Sequence, residues 1–382
     1  MKMRRWPWLA WWMALLGAVV SSAHATACPA PSGKQVIHVQ GHPFSAIPSP
    51  DGCWLFVSSN RTKTSEVIVL HNAGGVFAMD HAVTLPARAY GAALSPDGKT
   101  LVVAGGAKTS VLDVEQLEQR SGHAVRGVLD DGRHAGAVYV AISPDGRHVL
   151  VADEWAARID MFDLGKLTAT ASELAPMGRI RTTPSPVGLA ITTDGHWLYA
   201  TTENGLPGMP AICHAERGPD RGHADGLLLR IDLRRALAHP AYASVGAALP
   251  AGCNPVRVAL SPHDHHLWVT ERGSGTLMMV DASSWLQHAT QTNISGYFVG
   301  DSPVGVVVHP DGHEVWVALS ARFATHIKGG LFGLTTPAAG RPMKQYRLDL
   351  AGFPRDVTFL PDGHCLVATL YNARQVLLVP TP

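Results

Sequence analysis

Apolar, strand-like segments recur along the chain in pairs, each pair joined by a short polar turn. One series reads Leu55-Phe56-Val57, Leu101-Val102-Val103, Val149-Leu150-Val151, Leu198-Tyr199, Leu267-Trp268-Val269, Val315-Trp316-Val317 and Leu366-Val367. Ahead of these stand partners such as Val256-Arg257-Val258-Ala259-Leu260 and Val304-Gly305-Val306-Val307-Val308. The joining tetrapeptide is Ser49-Pro50-Asp51-Gly52, repeated as Ser95-Pro96-Asp97-Gly98 and Ser143-Pro144-Asp145-Gly146. Looser copies are Thr192-Thr193-Asp194-Gly195, Ser261-Pro262-His263-Asp264, His309-Pro310-Asp311-Gly312 and Leu360-Pro361-Asp362-Gly363. Proline presets the second turn position, Ser and Asp hydrogen-bond locally, and Gly supplies positive φ, so each copy predicts a hairpin.

A third strand follows each pair and often ends in aspartate, as in Val111-Leu112-Asp113 or Met279-Val280-Asp281; a fourth is less regular, as in Gly296-Tyr297-Phe298-Val299-Gly300. The second turn residues fall at 50, 96, 144, 193, 262, 310 and 361, which is 46 to 51 residues apart except for 69 between 193 and 262. Four strands per unit, seven times over, predict an all-β, seven-bladed β-propeller of four-stranded blades; a seven-unit solenoid is the alternative. The strands are apolar along most of their length, as expected where neighbouring blades cover both faces. The last unit stops at Val376-Leu377-Leu378-Val379 after three strands, while Val36-Ile37-His38-Val39 precedes the first. The N-terminal strand is therefore expected to complete the last blade and close the ring.

Pro-x-x-Val-Ala-x-Ser-Pro-Asp-Gly, then Leu-x-Val-(Ala/Thr), then Val-x-x-Asp, resembles the YVTN repeat family of seven-bladed propellers, close to the lactonase-like propellers. The resemblance runs through essentially the whole chain after residue 25. It implies the fold, and with it a choice among lactone hydrolysis, ligand binding and scaffolding. That family usually has asparagine just past the second strand, and here only Asn60 holds that place. No local motif matches lactonase catalytic residues one by one.

Hydrophobic residues at 46%, charged residues at 16% and a net charge of +1 exclude a disordered chain and speak against a nucleic-acid partner. Residues 1–25 read as a secretory signal: a basic start, Met1-Lys2-Met3-Arg4-Arg5, an apolar run from Trp6 to Val20, and Ala23-His24-Ala25 at the exit. Cleavage after Ala25 leaves a single propeller over 26–382, periplasmic or secreted, with no later run of membrane-spanning length. Losing Lys2, Arg4 and Arg5 turns 31 basic and 30 acidic residues into 28 and 30, a net −2.

Departures from the repeat mark candidate function. Ten residues past the turn position the units read Asn60, Gly106, Glu154, Glu203, Arg272, Ser320 and Tyr371; one residue earlier, units three and five carry Asp153 and Glu271. Five residues before the turn position, Gly91, Gly188 and Gly305 alternate with Ser45, Tyr139, Arg257 and Asp356. Strand order brings these positions to one face. The predicted ligand-binding set is Asp153, Glu154, Glu203, Arg257, Glu271, Arg272, Arg322 and Arg355, concentrated at blades three to five. The roughly 20 extra residues at about 204–226 belong to the same sector and are expected to overhang it as a partial lid. A solvated loop over ordinary surface ion pairs is the bland alternative.

No cofactor is predicted, and no haem, phosphate-loop, His-Glu-x-x-His or Gly-x-Ser-x-Gly motif occurs. No metal site is predicted either: His214, Glu216, His223 and Asp225 match no zinc spacing, and His263-Asp264-His265-His266 occupies a turn at the opposite face. Export permits disulfides. Cys213 and Cys253 are expected to pair and tether the lid, and Cys28 to pair with Cys53 or Cys365, leaving the other free. Two functional classes follow. One is a propeller, expected monomeric, that binds a small molecule or a cell-envelope protein. The other is a lactonase-like hydrolase with Glu271 or Glu203 as general base and Arg257 or Arg322 stabilising the oxyanion. Intact mass and N-terminal sequencing of the exported protein should begin at Thr26; a product retaining residues 1–25 contradicts the signal assignment.

Overall fold

The computed structural model describes residues 27–205, 225–263, 265–287, 292–322, 329–337 and 342–381. Residues 1–26, Cys213 and the rest of 206–224 lie outside them. Seven separate sheets follow one another along the chain, each with four antiparallel strands, the seventh taking its outermost from near the start of the chain. Blade one holds His42–Pro48, Trp54–Asn60, Ser65–Ala73 and Val76–Leu85, from the axis outward. The first strands of successive blades touch in the order one to seven and back to one, so the sheets form a ring. The seam closes as expected: Gln35–His38 pairs with Gln375–Pro380 of blade seven, Gln35 opposite Leu378.

Turn chemistry explains the regular spacing. The Ser49 hydroxyl donates to the Asp51 carboxylate at 2.5 Å and accepts from the Trp54 amide at 2.9 Å, while the same carboxylate accepts from the Cys53 amide at 3.0 Å. Ser95 and Asp97 repeat this in blade two. Gly52 and Gly98 hold φ of +70° and +73°, which asks for glycine.

The aspartates ending the third strands have a role that strand patterning did not assign. Asp113, Asp232 and Asp281 accept backbone N–H groups at the start of short helices, Val114–Glu118, Leu233–Ala238 and Ala282–Gln287. Blade two also gains a fifth strand, Glu173–Leu174, parallel to Val125–Asp130. No helix among the described residues is long and apolar enough to cross a membrane.

Seven apolar clusters fill the ring, one at each boundary between blades. Leu55, Val57, Ile68 and Leu70 of blade one pack with Val367, Val376 and Leu378 across the seam. At the axis, glycines alternate with bulky neighbours. A Cβ on Gly91 would lie 2.5 Å from the Tyr139 ring; one on Gly188 would lie 3.0 Å from Arg257 Cα; one on Gly305 would lie 3.0 Å from Asp356 Cα. Blades two, four and six thus yield space that Tyr139, Arg257 and Asp356 of blades three, five and seven occupy.

Cys28 and Cys53 are disulfide-bonded, which settles the alternatives left open for Cys28. Cys365 is free and buried, and burial pushes its thiol up to about 12. Cys253 is disulfide-bonded, and its expected partner Cys213 lies outside the described residues.

Gly188→Ala should destabilise the protein by about 1–3 kcal/mol in urea unfolding, because its methyl group meets Thr201 Oγ1 and the Val256 carbonyl at 2.5 Å. Gly33→Ala, with nothing within 4 Å, is the control and should stay within about 0.5 kcal/mol of wild type.

Candidate functional site

First strands begin, and second strands end, at one face of the ring, as the register of Pro186 with Thr202 and of Pro354 with Leu370 shows. Two adjoining cavities open there. One of about 1020 Å³ lies over blades one to three, and one of about 830 Å³ over blades six and seven; Phe44, Arg322 and Arg355 line both. Together they make one basin, lined where the first strands start by Phe44, Tyr90, Val138 and Arg355.

Arg257 lies behind that lining, one residue further along its strand than Val256. It is buried, lies over the Tyr139 ring at 4.2 Å, and donates to the Val187 carbonyl oxygen. Asp356 accepts from the Ser45 hydroxyl at 2.7 Å, joining blade seven to blade one. Burial lifts its carboxyl above the ordinary range, although Ser45 and Arg257 oppose the shift.

The charged wall of blades three to five divides into separate pieces. Arg272 grips Glu203 with both terminal nitrogens, at 3.0 and 3.2 Å, and both side chains are largely buried. Such a fork occupies both carboxylate oxygens of Glu203. Glu154 lines the larger cavity. Burial raises its carboxyl, the negative charge of Glu203 adds to this, and Arg355, Arg272 and Arg257 oppose it. Glu271 stands apart from both cavities: it accepts from Ser274 Oγ at 2.8 Å, and burial and then Asp225 push its carboxyl upward. Asp153 is fully buried, accepts from the Gly136 and Ala156 amides at 2.7 and 3.1 Å, and pairs with Arg158 at 3.1 Å. Its geometry shapes the turn that presents Glu154 and Trp155.

Arg355 is the unusual group. Six residues before the turn position the other blades carry Phe44, Tyr90, Val138, Val187, Val256 and Val304, all apolar or aromatic. Arg355 lies over the Phe44 ring at 4.4 Å. Among the described residues no carboxylate lies within ion-pair distance of it, and its guanidinium meets no hydrogen-bond acceptor. Burial, then Arg257 and Arg272, bring its pKa down to about 9 against the opposing pull of Asp356 and Glu203, so it is still a cation at neutral pH. Arg322 stands exposed at the rim of the same space.

Strand offsets do not reveal the rest of the lining. Lys63, Arg88 and Arg133 reach the larger cavity from three different loops, and Lys108 from the start of the strand Lys108–Asp113. Trp155 is 76% exposed at its edge, and its indole rests on Gly136, where a Cβ would come within 2.6 Å. Phe353 and Tyr371 line the smaller cavity in edge-to-face contact at 5.7 Å, and Phe353 holds a φ of +63° that a bulky residue rarely adopts. Among the described residues no three His, Cys, Asp or Glu side chains are placed to share a metal ion; His214, Glu216 and His223 lie outside them.

No family model matches the chain, and no curated protein is similar to it at a significant level. Among solved structures, hydrazine synthase of Kuenenia stuttgartiensis is similar, with a TM-score of 0.67 and 17% identity over 90% of this chain and 97% of that one. The likeness is one of fold. It places this chain among seven-bladed β-propellers and leaves its chemistry to the basin.

Beneath the larger cavity, Asp131, Asp153 and Asp160 are all fully buried around Arg158, which donates to the Asp131 carbonyl oxygen at 2.5 Å. Asp131 accepts from Thr109 at 2.7 Å through one carboxyl oxygen, and the other has no partner among the described residues. Burial drives this carboxyl up to about 8 against the Thr109 hydrogen bond, with Asp160, Asp153 and Asp130 adding to the shift. A folded-state value above the unfolded 3.8 means that the native protein holds the extra proton. Asp131 therefore costs stability progressively as pH rises from about 4 to about 8. Asp131→Asn should flatten that decline and melt higher than wild type at pH 8.5, by at least about 1 kcal/mol. A variant less stable than wild type at that pH contradicts the assignment.

Proposed function

We propose that this chain is an exported, YVTN-type propeller that binds a ligand in this basin. The carrying observation is Arg355, a largely buried cation facing a cavity with no carboxylate or acceptor of its own among the described residues. Burying an unpaired charge is costly, and proteins retain one where a ligand supplies the partner. The cavities are of the size that encloses small molecules. The Cys28–Cys53 disulfide supports an oxidising compartment, periplasmic or extracellular. The centre of this site lies nearer the seam than blades three to five, from which Glu154 joins the lining.

A hydrolase is the second reading, and Glu154 favours it. Its raised carboxyl shares the larger cavity with Arg355, so a proton-transfer group and an oxyanion-stabilising cation occupy one space. Lactone opening requires both. Glu203 is committed to Arg272 and Glu271 lies off the cavities, so the base in this reading is Glu154.

Mature protein incubated with cell-envelope extract, then examined by native mass spectrometry, should retain a small molecule that Arg355→Met loses. A lactone panel run alongside separates the readings. Turnover above background that Glu154→Gln abolishes establishes the hydrolase. Neither capture nor turnover overturns both.

A further inference from the structure

We infer that the basin selects an aromatic oxyanion, a carboxylate or phosphate carried on a flat ring, with the anion at Arg355 and the ring against Trp155. This rests on the ligand-binding reading and adds its chemical class.

The charge around the cavity sets the first half. Among the described residues, Lys63, Arg88, Lys108, Arg133, Arg322 and Arg355 line the larger cavity against a single acid, Glu154. The chain after residue 25 carries a net −2, so this excess is local and opposes the overall balance. Some of these cations are engaged: Lys108 pairs with Glu173 at 3.0 Å, Arg88 donates to the Arg61 carbonyl at 3.3 Å, and Arg322 has a partner too. Among the described residues Arg355 has no ion pair or hydrogen bond, only the Phe44 ring in contact and the weaker fields of Asp356 and Glu203. A guanidinium with one face on an aromatic ring keeps its edge N–H donors, which match the two oxygens of a carboxylate or phosphate. The surrounding cations draw such an anion in, and low-dielectric walls strengthen its contact with Arg355.

The ring half follows from what surrounds that cation. Phe44, Tyr90, Val138 and Trp155 give the cavity an apolar and aromatic side. Trp155 keeps most of its indole in solvent although the cavity is beside it, with the ring lying against the Gly136 backbone. An exposed tryptophan offers a broad, rigid stacking surface with only two side-chain torsions to order. A bare anion would leave that surface unused, and a neutral ring would leave Arg355 unpaired.

Isothermal titration of the mature, oxidised protein with 2-naphthoate, 2-naphthyl phosphate, 2-naphthylmethanol, glucose 6-phosphate and inorganic phosphate tests both halves. At least one naphthyl anion should bind, and the better of the two identifies the headgroup as carboxylate or phosphate. It should bind at least tenfold tighter than the neutral alcohol and tighter than either ring-free or sugar phosphate. Arg355→Met should lose at least tenfold for that naphthyl anion with its melting curve retained, and Arg355→Lys should recover part of the loss. Trp155→Ala should weaken the naphthyl anion while leaving inorganic phosphate unchanged. Equal binding of the alcohol, or unchanged affinity in Arg355→Met, overturns the anion assignment while ligand binding itself stands. Equal binding of inorganic phosphate overturns the aromatic one. No binding of any probe overturns the inference, and the extract capture experiment then decides separately whether the basin holds a ligand of another class.

Discussion

Apolar burial in this molecule lies between blades, and that constraint organises everything else. A four-stranded blade has two large faces and little thickness, so alone it covers neither. Packing each face on the next blade buries both, which is why the seven clusters sit at seven boundaries and why the strands are apolar on both sides. An open row would leave two faces and two strand edges uncovered. Pairing Gln35–His38 with the last blade removes that defect and welds the ends of the chain together. The Cys28–Cys53 disulfide lies beside the same seam, where Cys28 also donates its amide to the Asp51 carbonyl.

Closing seven blades converges seven first strands on one axis, where full-sized side chains from every blade would collide. Gly91, Gly188 and Gly305 relieve the crowding, and Tyr139, Arg257 and Asp356 use the released space. The proposed binding site is the basin at the end of the ring where these strands start. The polar groups at that end are of two kinds. Arg257, Asp356, Asp153 and the Glu203–Arg272 pair are satisfied internally and hold shape. Arg355 and Glu154 face the cavity with perturbed acidity, and Arg355 lacks a partner among the described residues.

How much of this can be read from sequence depends on how local each feature is. The Ser-Pro-Asp-Gly turns are legible because their hydrogen bonds close within five residues. Ring closure is legible because a three-strand final unit leaves a place for one spare strand. Glycine at a shared offset in three units exposes the axis, although the pairing of each glycine with the bulky residue of the next blade needs coordinates. Asp113, Asp232 and Asp281 are visible as strand ends but not as helix caps, since the helices they start are too short to show a period. Charge at blades three to five is visible too, yet sequence cannot distinguish Glu203, gripped by Arg272, from Glu154, which faces the cavity. The basic lining escapes because Lys63, Arg88, Lys108 and Arg133 share no offset in the repeat.

The account turns on Arg355 being a cation that awaits an anion. Crystals of the mature protein soaked in bromide and measured at the bromine absorption edge address this directly. A strong anomalous peak in the basin, in hydrogen-bonding contact with the Arg355 guanidinium, is the predicted result. Bromide at surface lysines and arginines with none beside Arg355, or a carboxylate folded onto it, would contradict the account.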